Sequence, residues 1–147
     1  MYSLILILHI VAATIWTGGH LVLAVTVLPR ALKQRTVEEL SVFESGYERI
    51  GIPALLVQFI TGLWLAYQFV PDVSQWLNLH TPAARLICIK LSLLVITVIL
   101  AIDARLRVIP NLTEANLNSL AFHIVPVTVI SVLFVVVGVS FRTGWLF

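Results

Sequence analysis

YSLILILHIVAATIWTGGHLVLAVTVL, residues 2–28, runs its whole length without an Asp, Glu, Lys or Arg. About twenty apolar residues cross the roughly 30 Å hydrocarbon core of a bilayer as a helix, so this run is long enough to span it. Its interruptions are as informative as its length. His9 and His20 lie eleven residues apart with Trp16 between them. Eleven residues make about three helical turns, which puts both imidazoles on one face, about 16 Å apart along the axis. An ionisable side chain inside a membrane is costly and points by default to function. Two on one stripe imply two stacked sites, one towards each membrane surface.

Three further runs have spanning length: residues 50–69, 82–104 and 118–141. With residues 2–28 they predict an all-α, integral membrane four-helix bundle, a single domain over 1–147, in contact with the lipid bilayer. Composition agrees, being 60% hydrophobic and only 11% charged, with a mean hydropathy of +1.05, far from a soluble average. The net charge of +2 comes from loops and gives no case for nucleic acid. The first run is too apolar and too long for a cleaved signal, lacks a basic start and is followed by no A-x-A site. The single Cys88 falls inside the third span and reads as a small packing residue.

Basic residues orient the bundle. Arg30, Lys33, Arg35 and Arg49 lie between spans one and two, and Arg105 and Arg107 between spans three and four; the other side has Arg85 and Arg142. This asymmetry predicts a multi-pass protein of the bacterial inner membrane with both termini on the periplasmic side. Trp64, Tyr67, Trp76 and Trp145 form an aromatic belt on that side. Thr81-Pro82 predicts an N-cap followed by Pro at the first helical position, and Thr113 a similar cap before span four. Residues 30–49 read as a solvated connector, with a short surface helix pairing Arg35 and Glu39 as the alternative.

Topology lets depths be compared. His9 and Lys90 fall at one outer level, with His80 just above them in the loop. His20 and His123 fall at a similar inner level on different helices. Ala12, Gly18 and Gly19 leave room beside the histidines for a flat group or a close helix, and Pro126 frees a carbonyl beside His123. Haem fits a four-helix bundle with axial histidines on facing helices. Copper is the other candidate: imidazole binds it, although Cu(I) prefers thiolate or thioether and the chain has one Cys and one Met. Each histidine has a plainer alternative as a hydrogen-bonded packing residue, and Lys90 as a side chain snorkelling to the interface. Gln58 and Thr61 read as interhelical hydrogen-bonding groups, and Asp103 as a partner for Arg105 and Arg107. No C-x-x-C-H motif is present, so haem would be non-covalent.

LHIVAATIWTGGHLVLAVTVLP, with His9, Trp16, Gly18, Gly19 and Pro29, resembles the opening of the CopD domain of bacterial copper resistance protein D. The resemblance continues through YERIGIPALLVQFITGLWLA, with Gly62, and IKLSLLVITVILAIDARLRVIP, with Lys90, Arg105 and Pro110. It implies a copper transport or resistance protein; the His-based copper ligands would then come from His9, His20, His123 and His80, of which His20 and His123 are extra to the core CopD pattern. More distantly, the pattern is similar to HemJ-type protoporphyrinogen oxidases, which implies roles for His9 and Lys90 at a b-type haem; Gly18-Gly19 after Trp16 and the late Pro29-Arg30 depart from that pattern. The leading expectation is one or two b-type haems on His9, His20, His123 and Lys90, flanked by Trp16, serving membrane redox chemistry or transmembrane electron transfer. His20 with His123 is the first axial pair, and His9 with Lys90 or His80 the second. Quinone or another redox protein would be the electron partner, a homo-oligomer the assembly, and a haem-dependent oxidoreductase the enzyme class. His-based copper transport and HemJ-like protoporphyrinogen oxidation are the alternatives.

Overall fold

The computed structural model describes residues 1–146, and every regular element in it is helical. The helices are α1 (Tyr2–Val22), α2 (Leu28–Gln34), α3 (Glu38–Phe69), α4 (Pro82–Asp103) and α5 (Leu117–Thr143). Four continuous stretches are long and apolar enough to cross a membrane: Tyr2–Gln34, Glu38–Phe69, Pro82–Asn111 and Leu117–Thr143. Both chain ends lie at one end of the bundle, where Tyr2 packs on Trp64 at 6.1 Å between ring centroids and Arg142 donates to the Tyr2 hydroxyl at 3.2 Å. The opposite, basic end holds the two short loops. α1 packs between α3 and α5, α5 packs on α4, and α3 and α4 barely touch. Arg105 joins that last pair at the basic end through Glu48, 3.0 Å away. Val25, Ile60, Ile99 and Phe122 are well exposed on the outside of the bundle, as lipid-facing side chains must be.

Prolines explain two breaks in helical regularity. α1 passes into α2 through a π-turn, Leu23–Val27, in which the Leu28 N–H reaches back five residues to the Leu23 carbonyl. Pro29 follows at once. A proline ring clashes with the carbonyl four residues earlier and has no N–H to give it; widening one turn relieves both problems. The same happens after α4, where Ala104–Val108 is a π-turn, the Ile109 N–H reaches Ala104, and Pro110 follows.

The connector between spans one and two differs from expectation. Only Arg35, Thr36 and Val37 lie outside helix, and span two is one helix from Glu38, not from about residue 50. Arg35 adopts the left-handed conformation at φ 53°, and the N–H groups of Arg35 and Thr36 both reach the Ala31 carbonyl, a compact C-terminal cap. Leu40 drives the extension: it is 1% exposed, in a cluster with Leu23, Leu28, Ala31, Leu117, Leu120 and Ile124. With Arg35 committed to the cap, Glu39 pairs instead with Arg30 at 3.9 Å. Thr81 caps α4 as its sequence predicts, its hydroxyl accepting from the Ala84 N–H at 3.3 Å. Ahead of α5 the N-cap position belongs to Asn116, not Thr113, and the Asn116 side chain turns back to the Thr113 N–H at 2.7 Å. In the loop at the other end, hydrogen bonds from the Ser74 hydroxyl and N–H hold the Asp72 carboxyl below its usual value.

Polar groups also tie α1 to α5. Thr17 donates to the Ser131 carbonyl at 3.2 Å, and the Thr128 hydroxyl, 2.7 Å from the Ile124 carbonyl of its own helix, also lies 3.2 Å from the His20 carbonyl. Such interhelical bonds average about 0.6 kcal/mol in a membrane. Their greater use is to fix the register in which the histidines sit.

Candidate functional site

Near the end that holds the termini, His9 on α1 meets α3. Its Nδ1 lies 2.9 Å from the Thr61 hydroxyl. That hydroxyl is within bonding distance of the Val57 and Gln58 carbonyls, which accept only, so its single proton goes to the backbone. Thr61 Oγ1 therefore accepts from His9 Nδ1–H, which leaves the lone pair on Nε2. Close packing holds the ring there: a β-carbon at Gly62 would stand 3.2 Å from His9 Cε1. Lys90 of α4 is close enough to act on His9 electrostatically. Its ammonium lies 5.6 Å from the centre of the Phe141 ring, and a β-carbon at Gly138 would stand 3.3 Å from it. No acidic side chain forms an ion pair with Lys90 among the described residues. Gln58 Oε1 is buried without a hydrogen-bond partner.

Three turns along α1, His20 is 9% exposed and stacks on Trp16 with 4.3 Å between ring centroids. Its Nδ1 lies 2.9 Å from the Trp16 carbonyl, an acceptor only, so here too Nδ1 carries the proton and Nε2 the lone pair. Tyr47 donates to the same carbonyl at 2.9 Å and meets the His20 ring edge-on at 5.7 Å. Glycines make the space for that phenol. A β-carbon at Gly19 would fall 2.0 Å from Tyr47 Cε2, and one at Gly51 2.9 Å from Tyr47 Cε1. The room left by the glycine pair in span one is thus taken, at Gly19, by a side chain of the same protein. Nothing lies within 4 Å of the corresponding point at Gly18.

His123 does not join His20. Its Nε2 lies 2.8 Å from Asp103 Oδ2 and its Nδ1 2.9 Å from the Ser119 carbonyl. Arg107 binds the other Asp103 oxygen at 2.9 Å. These groups line an open cleft of about 330 Å³ at the basic end, with Asn116 and Phe122. Axial ligands must reach one iron from opposite faces. His20, turned to Trp16 and Tyr47, and His123, with both nitrogens engaged, do not fit a bis-histidine haem. His80 is exposed in the turn before α4, its N–H held by Asn78. Among the described residues no hydrogen bond or ring contact joins it to another histidine, and no group of three or more His, Cys, Asp or Glu side chains is placed to hold a metal ion.

Structure thus sets His9 against Thr61 and Gly62 within electrostatic reach of Lys90, sets His20 with Trp16 three turns away, and leaves His123 and His80 apart from both. Tyr47 and Thr61 complete the two histidine environments. Thr61 is legible in sequence as a polar residue in a span, whereas Tyr47 falls in the stretch that reads as a connector.

Residues 42–141 match the model of the family described as copper resistance protein D. This region takes in Tyr47, Thr61, Gly62, Lys90, Asp103, His123 and Gly138, and begins after His9 and His20. No curated protein matches the chain, and no solved structure does. Covering more than half of the sequence, with four helices fit to span a bilayer, the match shows that the chain is a multi-pass membrane protein belonging to the copper resistance protein D (CopD) family.

Proposed function

We propose that the protein passes copper through the bacterial inner membrane on the imidazoles of its first span. The observation that carries this reading is the shared state of His9 and His20: each has Nδ1 tied as a donor and Nε2 left with its lone pair. A carbonyl or hydroxyl behind Nδ1 is the support that fixes a metal-binding imidazole's tautomer and orientation. Family membership supplies the metal. With only Met1 and Cys88 as sulfur groups, imidazole-bound Cu(II) suits the chain better than a thioether relay. The test is copper per chain in purified protein, together with copper tolerance of expressing cells. His9→Ala and His20→Ala are each expected to lower bound copper severely, and unchanged copper in both would overturn the reading.

Haem is a second reading, favoured by one observation: Lys90, near enough to His9 to act on it electrostatically, forms no ion pair with an acidic side chain among the described residues. An imidazole and a neutral amine are both competent iron ligands, and a b-type haem there would supply one-electron chemistry towards quinone or another redox protein. Lys90→Met then abolishes a Soret band present in the wild type. Stoichiometric copper with no Soret band excludes this reading.

Sidedness belongs to the same proposal. The basic loops are placed in the cytoplasm and both termini in the periplasm. In a Cys88→Ser background, a cysteine at Thr36 is expected to resist a membrane-impermeant thiol reagent in intact cells, while one at Thr143 is expected to react. The reverse pattern would invert the direction of the copper path.

A further inference from the structure

Two glycines receive two polar side chains in the same way, one in each half of the chain. His9, on the first helix of the first hairpin, lies against Gly62 of the helix that follows; Lys90, on the first helix of the second hairpin, lies against Gly138 of the helix that follows. The registers agree. His9 precedes Pro29 by twenty residues, and Lys90 precedes Pro110 by twenty. Each stretch passes through a five-residue π-turn beginning fourteen residues after the polar residue, Leu23–Val27 in one and Ala104–Val108 in the other. Val27-Leu28-Pro29 answers to Val108-Ile109-Pro110. On the second helices, Gly62 follows Tyr47 by fifteen residues and Gly138 follows His123 by fifteen. Tyr47 and His123 each reach back to the preceding span, to the Trp16 carbonyl and to Asp103. At this same register Gly51 and Val127, Ala54 and Ile130, and Thr61 and Val137 are all buried.

We infer that the chain is a tandem repeat of one helical hairpin, and that His9 and Lys90 are the two repeats' contributions to a single ligand site on the axis between them. Helix order supports this arrangement. α1 and α4 run in the same direction, as do α3 and α5, and each hairpin packs its second helix on its first, α3 on α1 and α5 on α4, the two hairpins meeting where α5 lies against α1. Many transporters built from repeats hold their ligands at the interface of the repeats. At this point one repeat offers an imidazole and the other an amine. Lys90 is then the residue that keeps the site from being a symmetric two-imidazole metal site. Identity of the ligand as copper rests on the function proposed above; the equivalence of the two positions does not.

The test exchanges the two residues in the full chain. His9→Lys puts two amines at the site and is expected to lower bound copper tenfold or more, the scale on which disturbed metal sites lose affinity. Adding Lys90→His to it returns one imidazole and one amine, on swapped helices, and is expected to restore most of the copper. A double exchange as empty as His9→Lys, while the wild type holds copper, overturns the inference and leaves the copper reading standing. Lys90→His alone provides a check that needs no natural ligand. Two imidazoles facing one axis should bind added Co(II) with visible d–d bands, and His9→Ala in that background should abolish them. Co(II) bound in this way by a protein whose wild type holds no copper would support the repeat and overturn the copper reading. Absence of a His9-dependent Co(II) signal in a variant that elutes from size exclusion as the wild type does would overturn the shared site.

Discussion

Gly19→Ala is expected to destabilise the protein by about 1–3 kcal/mol, the range for forcing extra atoms into a close-packed interior. The new methyl would lie 2.0 Å from Tyr47 Cε2, and a rigid phenol cannot yield as a flexible chain end does. Gly51 closes its other side. Moving the ring would also draw its hydroxyl from the Trp16 carbonyl, which it shares with His20 Nδ1. Gly18→Ala is the control: its methyl meets nothing within 4 Å, and alanine favours helix over glycine by about 1 kcal/mol. Thermal unfolding in detergent should therefore fall for the first variant and hold or rise for the second. Tyr47→Ala should cost stability by itself, yet make Gly19→Ala nearly harmless when the two are combined, the non-additivity expected of groups in contact. Equal behaviour of the two glycine variants would show that Tyr47 does not occupy this slot.

Legibility from sequence follows the physics of each element. Spanning helices announce themselves by uninterrupted apolar length, and all four are found. The start of α3 is not, because Glu38, Glu39, Glu44, Glu48 and Arg49 interleave with Leu40, Phe43 and Tyr47 and give the stretch the look of a connector. Its apolar residues nevertheless recur at helical spacing, and it is Leu40, nearly inaccessible, that secures the segment. Depth alone pairs His9 with Lys90, and Lys90 is near enough to His9 to act on it electrostatically. Depth also pairs His20 with His123, and there side-chain direction decides otherwise. Helical side chains lean towards the N-terminus of their own helix. α1 and α5 run in opposite directions, so His20 leans towards Trp16 and His123 towards the basic end, where the Asp103 carboxylate receives it. Hydrogen-bonding partners on other helices, such as Thr61 for His9, lie in contacts that span fifty residues of chain, and no local pattern encodes them.

Thr61→Val is expected to weaken copper binding by about 10- to 100-fold, the usual consequence of removing the group behind a metal-binding imidazole. Valine keeps the shape of threonine but offers His9 Nδ1–H no acceptor. Left unpaired in a buried position, that N–H favours a turned ring or the other tautomer, and either takes the Nε2 lone pair from its present position. Thr61→Ser keeps the acceptor and should retain most of the affinity. Helix formation should be indifferent to both changes, since the Thr61 hydroxyl donates only within its own helix. Competition against a chelator of known affinity, with helicity followed by circular dichroism, separates loss of the site from loss of the fold. Thr61→Val binding copper as the wild type does, while His9→Ala binds none, would show that His9 acts without this anchor. A parallel loss in Thr61→Val and His9→Ala, with His20 untouched, would instead mark the α1–α3 contact as what sets the imidazole for its ligand.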